Sequence, residues 1–554
     1  MGDAAVVGLK RISIAGLLLG LLFFAVSLTP SLIPRGPLVQ GVLGGLVMAL
    51  GYLTWWILLL LWRVAAMPEL HGAAKRWLLS LLAIGTLSFF GWTLVSSLTW
   101  QNDLRVKMDM PFVDNPDLIF LMLVALLTFA VCFALGALVG WLVRLVRSRL
   151  LRVMPERRAN VLALVVVGLA LFVVTRDGLY DQVVTGLDSS YEAAQELFDT
   201  APPPPENPEL TGGANSLIDW GALGTPGRNF VLGGPDAEDI AAFTGNPALD
   251  PIRVYVGRAN AKTAQERADL ALAELIRTGA FERKVLVVAS PTGTGWLDPG
   301  SHDPLEYMHG GNIATVAAQY SYLQSPLALI LETDTGLDQA TALLETVHRY
   351  WQTLPADARP RLYVHGLSLG AWSSMYATNL FRLVNDPIDG AFWAGPPFPS
   401  GFWRYVQNAR EDGSLWILPQ IGDGSFIRHA GHFDDASAGA PWGDMRIVFL
   451  QYSSDPIVFY EPLSVWRAPP WMRDPPAPDA SAHMTFMPIV TQFQLALDMA
   501  LSFGAPPGHG HAYYAQDYIV PWVQVSAPED WSEDDTARLK AHCDNGFQNG
   551  CSND

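Results

Sequence analysis

Arg361-Leu-Tyr-Val-His-Gly-Leu-Ser-Leu-Gly-Ala-Trp-Ser373 is the stretch whose reading decides the fold. Leu362, Tyr363 and Val364 read as a short buried strand. Gly366-Leu-Ser-Leu-Gly370 then fits G-x-S-x-G, and an apolar, small-residue helix pattern runs on to Leu380. Strand, sharp turn and helix are the context a nucleophile elbow needs. Such a turn strains the serine backbone, and Gly366 and Gly370 leave room where larger neighbours would collide. Ser368 is thereby predicted at the carboxyl edge of a sheet. The five-residue motif alone is common, and a structural serine in a strand-to-helix turn competes with it. The strand before and the helix after carry the argument.

Outward from the elbow, strands alternate with helices. Residues 252–256 alternate like a strand, 284–289 form a short β-branched run, and 313–320 and 327–331 are further apolar runs. Residues 264–277 read as a helix with Thr263 as N-cap and Glu266 completing a capping box. Residues 336–351 read as a second helix, and 390–394 and 446–452 as strands. This alternation predicts a doubly wound, mostly parallel α/β sheet, with ligands at the carboxyl ends of its strands. Ser453-Ser-Asp455-Pro follows a buried strand, so Asp455 stands at that edge, although an Asp capping a turn before proline is also common. Gly508-His-Gly-His511 follows later. H-G-H is a weak metal pattern, and neither cysteine nor clustered carboxylate accompanies it, so no metal and no cofactor is expected. Ser368, Asp455 and His509 or His511 keep the Ser…Asp…His chain order of α/β-hydrolases. A serine needs such a base, and the base needs a carboxylate to fix its tautomer. The Gly-His-Gly turn resembles the histidine loops of many α/β-hydrolases, a resemblance that implies His509 as the base with His511 beside it, although spacing cannot separate them. Leu369 is expected to give one oxyanion N–H. Thr292 or Gly293, in the loop after the 284–289 strand, is expected to give the second, ahead of His309-Gly310-Gly311.

The amino-terminal third is different. The chain is 50% hydrophobic and 16% charged, too apolar for an ordinary soluble protein. Residues 1–184 hold 15 Lys+Arg against 9 Asp+Glu, and residues 185–554 hold 20 against 44. The acidic second part argues against nucleic acid as a partner. Uncharged apolar runs at 12–28, 38–62, 77–98, 118–143 and 161–174 predict an α-helical bundle of about five spans. Their lack of charge disfavours an ion pathway and favours a passive anchor. Gly16/Gly20, Gly41/Gly45 and Gly136/Gly140 are small-xxx-small pairs suited to helix contact, including self-association. Lys10 and Arg11, then Arg63, Lys75 and Arg76, then six arginines from Arg144 to Arg158 alternate with loops poor in cations. The rule that cationic loops stay inside sets a cytoplasmic amino terminus in a multi-pass cytoplasmic membrane protein. Five crossings then put the catalytic domain outside the cytoplasm, and four, with the fifth run not crossing, would leave it inside. There Cys543 and Cys551 could pair as a disulfide, with Cys132 free in the fourth run. The expected division is a transmembrane region at 1–184, a linker at 185–216 with four consecutive prolines, and a catalytic domain at 217–554. A Pro- and Trp-rich stretch, 462–478, could be part of a lid or a surface loop.

The whole chain resembles bacterial membrane-anchored α/β-hydrolases with an amino-terminal multi-span region. The matching pieces are Ile252-Arg-Val-Tyr-Val-Gly257, Ser290-Pro-Thr-Gly-Thr-Gly-Trp296, Glu306-Tyr-Met-His-Gly-Gly311, Gln319-Tyr-Ser-Tyr-Leu323, the elbow, Ser454-Asp-Pro-Ile-Val458 and Gly508-His-Gly-His511. The resemblance implies an α/β-hydrolase catalytic domain. Such proteins often carry Glu before the serine, where this chain has Leu367, a difference that bears on pocket polarity rather than on the triad. The expected function is a membrane-anchored serine esterase acting through an acyl-enzyme on a membrane lipid or acylated envelope molecule. Acyl transfer by the same triad, and a non-catalytic envelope module on a hydrolase fold, are the alternatives.

Overall fold

The computed structural model describes residues 12–174, 202–323, 328, 332–378, 386–544 and 549–551, except positions 69, 70, 116, 435, 437 and 438. The expected apolar run at 327–331, apart from Ala328, and the end of the elbow helix beyond Thr378 lie outside the described residues. The chain forms two compact units. One is Met1–Thr185 with Glu461–Met499, and the other is Gly186–Tyr460 with Ala500–Asp554. Residues 461–499, expected within the catalytic domain, therefore group with the helical region.

That helical unit contains α1 (Ile14–Ser27), α2 (Pro37–Val64), α3 (Gly72–Lys107), α4 (Leu118–Leu150) and α5 (Glu156–Val173). Among the described residues, α2, α3 and α4 are long and apolar enough to cross a membrane. Three candidate spans thus stand among the described residues where about five were expected. α1 has 14 residues, about 21 Å at the α-helical rise, against a hydrocarbon core of roughly 30 Å. α5 has 18 residues, but Glu156, Arg157 and Arg158 occupy its first turn. Gly20 and Gly44 sit where α1 meets α2, and Gly41 and Gly45 where α2 meets α4. A Cβ on Gly41 would lie 2.8 Å from the Leu121 carbonyl, and one on Gly45 would meet that of Ala125. These glycines let backbones approach directly. Gly136 has open space instead.

The contacts also fix helix directions. Gln40 Nε2, in the first turn of α2, donates to the Ser27 carbonyl at 3.1 Å, so α1 and α2 are antiparallel. Gly41 faces Leu121 and Tyr52 faces Phe133, so α2 and α4 run parallel. Arg147 near the end of α4 pairs with Glu156 at 2.7 Å at the start of α5. Residues 461–499 pack where α1 and α3 finish and α2 begins. Val490 joins Phe23, Val26, Leu43 and Val47 in one cluster. Buried Asp498 accepts the Leu32 N–H at 3.0 Å, and Gln494 donates to the Thr29 carbonyl at 3.0 Å. Lys107 Nζ donates to the Ala480 carbonyl at 2.7 Å.

In the other unit, β1 (Ile252–Val256), β2 (Val285–Ser290), β3 (Ile313–Ala318), β4 (Arg361–Leu367), β5 (Gly390–Ala394), β6 (Ile427–Ala430) and β7 (Arg446–Leu450) make one sheet, ordered β1-β3-β2-β4-β5-β7-β6. Every pairing is parallel. β2, β3 and β5 are buried throughout, as unbroken apolar strands covered on both faces must be. α6 (Ala264–Arg277) carries the expected capping box, Thr263 with Glu266. α7 (Pro299–Met308), α8 (Thr333–Trp351), α9 (Leu369–Ala377) and α10 (Ala515–Ser526) complete the frame. α6 packs on α8 and α8 on α9, while α7 packs on α10. The strand order reverses direction at β2 and β4, so their carboxyl ends open the crevice where such sheets bind ligands.

Candidate active site

Ser368 stands between β4 and α9 with φ 57° and ψ −123°, a strained conformation for a residue with a side chain. Its N–H donates to the Ala394 carbonyl at the end of β5, at 2.9 Å. Both elbow glycines are obligatory here. A Cβ on Gly366 would strike the Gly370 backbone, and one on Gly370 would strike the Ser290 carbonyl. The second contact sets the end of β2 against the first turn of α9. The loop after β2 therefore begins beside the elbow.

That loop sorts the expected oxyanion donors. The Thr292 N–H is spent on the Trp296 carbonyl at 3.0 Å, closing a tight turn. Thr292 is thereby removed as a backbone donor, and Gly293 at the turn's tip remains. Leu369 opens α9, so its N–H has no partner within the helix. His309-Gly310-Gly311 leads into the amino end of β3, at the opposite edge of the sheet from Ser368, and is excluded. Its backbone is committed locally, Gly311 N–H donating to the Glu306 carbonyl at 2.9 Å.

Asp455 follows β7 and is completely buried. One carboxylate oxygen, Oδ1, accepts the Ile457 N–H at 2.8 Å and caps a short helix. The other, Oδ2, accepts from His511 Nδ1 at 2.6 Å. The turn-capping and site roles thus use different oxygens of one side chain. The preference for His509 is corrected: His511 faces Asp455. His509 is buried against His432 and Phe433, with ring centroids 5.2 and 6.1 Å away. The loop geometry selects the ring. Gly508 and Gly510 adopt φ 86° and 56°, and the Gly510 N–H donates to Ser454 Oγ at 3.0 Å. That bond fastens the histidine loop to the residue before Asp455.

His511 Nδ1 carries the proton toward Asp455, which leaves Nε2 as the basic nitrogen of the neutral ring. Among the described residues Nε2 is buried and accepts no hydrogen bond. Its ring lies over the end of β5, where a Cβ on Gly395 would come 2.8 Å from Cε1. Gly395 directly follows Ala394, which holds the Ser368 N–H. Ser368 and Asp455 thus stand just beyond the carboxyl ends of β4 and β7, and the His511 ring lies over the end of β5, all three nearly sheathed from solvent. Tyr513, which sequence reasoning did not select, also reaches Asp455 Oδ2, at 3.0 Å. Its only signal was its place two residues after His511.

Cys543 and Cys551 are joined, and Cys132 is free. The Cys551 N–H donates to Asp303 at 3.0 Å, and Asp303 pairs with Arg253, which also pairs with Glu306. Among the described residues no cluster of three His, Cys, Asp or Glu is arranged to hold a metal ion.

A profile described as alpha/beta-hydrolase family matches residues 252–539, and one described as the amino terminus of that family matches residues 28–235. Neither a curated protein nor a solved structure matches the chain.

Proposed function

We propose that this chain, which belongs to the alpha/beta-hydrolase family, is a membrane-anchored serine hydrolase. It cleaves an ester of a lipid or acylated envelope molecule through an acyl-enzyme. The observation that carries the reading is the buried His511–Asp455 pair, at 2.6 Å, on the same sheet edge as the strained Ser368. Ser368 Oγ attacks the acyl carbonyl while His511 Nε2 takes its proton. Asp455 keeps the imidazole in the required tautomer and balances its charge once protonated. The N–H groups of Leu369 and Gly293 receive the developing oxyanion. The imidazolium then protonates the departing alcohol. Water, activated by the same ring, releases the acyl group.

The membrane argument supports the lipid class. Three apolar helices long enough to span a bilayer precede the hydrolase unit. Residues 461–499, between Asp455 and His511 in sequence, fold with those helices. A fluorophosphonate probe should label the wild-type protein, and Ser368→Ala should abolish labelling. Persistent labelling of Ser368→Ala would sink the serine mechanism. Lipid profiles of membranes with wild-type protein or Ser368→Ala should then differ in one acylated species.

A further inference from the structure

Tyr513 is completely buried, and its hydroxyl sits between two fixed partners. The Tyr452 N–H donates to Tyr513 Oη at 3.2 Å. A backbone N–H can only donate, so the phenolic hydrogen is available for the second partner, Asp455 Oδ2, at 3.0 Å. That oxygen is the one that accepts from His511 Nδ1. With Ile457 N–H on Oδ1, three donors define the carboxylate plane.

The ring is held as firmly as the hydroxyl. It stacks on Tyr452 with centroids 4.1 Å apart and planes 11° apart, and meets His511 edge-on at 5.4 Å. Gly395, with φ 52°, makes room for both rings: a Cβ there would lie 2.8 Å from Tyr513 Cε2 and from His511 Cε1. Burial, then the Asp455 charge, raises the phenol well above its ordinary range, so it stays a neutral donor. Behind it, Tyr452 donates to Asp517 at 2.7 Å, and Asp517 also pairs with His432 at 3.0 Å.

We propose that Tyr513 is a positioning residue for the Asp455–His511 pair. Its hydroxyl stops the carboxylate from rotating and takes a share of its charge, so that His511 is offered one oxygen at one angle. The inference rests on the serine-hydrolase reading. A merely structural tyrosine would fill the same space but would not couple to Asp455 in catalysis.

The test uses the full-length protein in detergent micelles, with fluorophosphonate labelling rates and p-nitrophenyl butyrate turnover. Tyr513→Phe keeps the ring and its stacking and removes only the hydroxyl. Losing one hydrogen bond to a charged group should lower the labelling rate and kcat by about tenfold or more, with KM little changed. In an Asp455→Asn background the same change should cost less than about twofold, because the two residues act as one unit. Tyr452→Phe, which removes a hydroxyl from the same stack without touching Asp455, should leave the labelling rate near wild type. An unchanged rate in Tyr513→Phe, or an equal loss in both backgrounds, overturns the proposal. If Tyr513→Phe fails to fold, difluorotyrosine at 513 preserves the shape and alters the donor. An unchanged labelling rate there also overturns it. Failure of wild-type protein to label at Ser368 would instead remove the underlying serine reading.

Discussion

Two histidines two positions apart share a loop and are equally buried, yet only one ring meets the carboxylate. The choice was set by Gly508 and Gly510, whose positive φ values turn the loop so that His511 faces Asp455 and His509 faces His432. His511→Ala should therefore abolish fluorophosphonate labelling nearly as completely as Ser368→Ala, a loss of about 10⁴ or more, and the double variant should be little worse. His509→Ala should cost far less turnover and act through stability, by about 1 kcal/mol from lost packing. The reverse order of labelling rates would restore His509 as the base. Ser368, Asp455 and the histidine loop were legible because each sits at a strand end or a glycine-flanked turn. The identity of the ring was not, because it depends on Ser454 Oγ holding the Gly510 N–H across the fold. Leu367 lies buried directly before Ser368.

Elements were legible where their sequence follows one period. β1, α6 and β5 fall where the pattern places them. β6 and α7 escaped notice for a common reason. Each buries polar side chains whose partners come from elsewhere in the chain. Arg428 in β6 bonds the Gly424 and Ala440 carbonyls and lies 4.0 Å over the Trp442 ring. Asp303 and Glu306 in α7 both pair with Arg253 of β1. The loop from β2 to α7 carries two predictions. Gly293→Pro removes the N–H assigned to the oxyanion and should cut turnover on the order of 10²–10³ without unfolding the protein. Normal kinetics in that variant would send the second donor elsewhere. Asp298, which caps α7, is raised from 3.8 to about 7 by burial, against hydrogen bonds from Tyr518 and the Gly300 N–H. Its folded-state value lies above its unfolded one, so its contribution favours folding below about pH 4 and is lost as pH rises toward 7. Asp298→Asn should flatten the fall in apparent Tm across that window. Parallel pH curves for the two proteins would clear Asp298 of the effect.

At the scale of the whole molecule, counting apolar runs is a fragile guide to the side on which the hydrolase unit lies. Among the described residues three candidate spans and two shorter or charge-bearing helices do not fix the parity. The helix directions give a second route. Arg63, Lys75, Arg76 and the arginines from Arg144 to Arg158 all gather at the end where α2 and α4 finish and α3 and α5 begin. By the distribution of cations, that end is expected to face the cytoplasm. The opposite end carries residues 461–499, through Asp498 with Leu32 and Lys107 with Ala480. The chain enters that segment from Tyr460 and leaves it into Ala500, and we propose a non-cytoplasmic hydrolase unit. That proposal requires α5 to cross too, beyond the three helices that are long and apolar enough on their own. It buries Ala159, Ala163 and Val167 on one face, and Arg157 and Arg158 can extend to the interface. A joined Cys543 and Cys551 fits an oxidising compartment. Alkaline phosphatase fused at the carboxyl terminus should therefore be active, and a reporter that works only in the cytoplasm should be silent there. A membrane-impermeant thiol reagent should reach Cys543 and Cys551 only after reduction. An active cytoplasmic reporter with a silent phosphatase would mean that α5 does not cross, and would move the proposed lipid substrate to the inner leaflet.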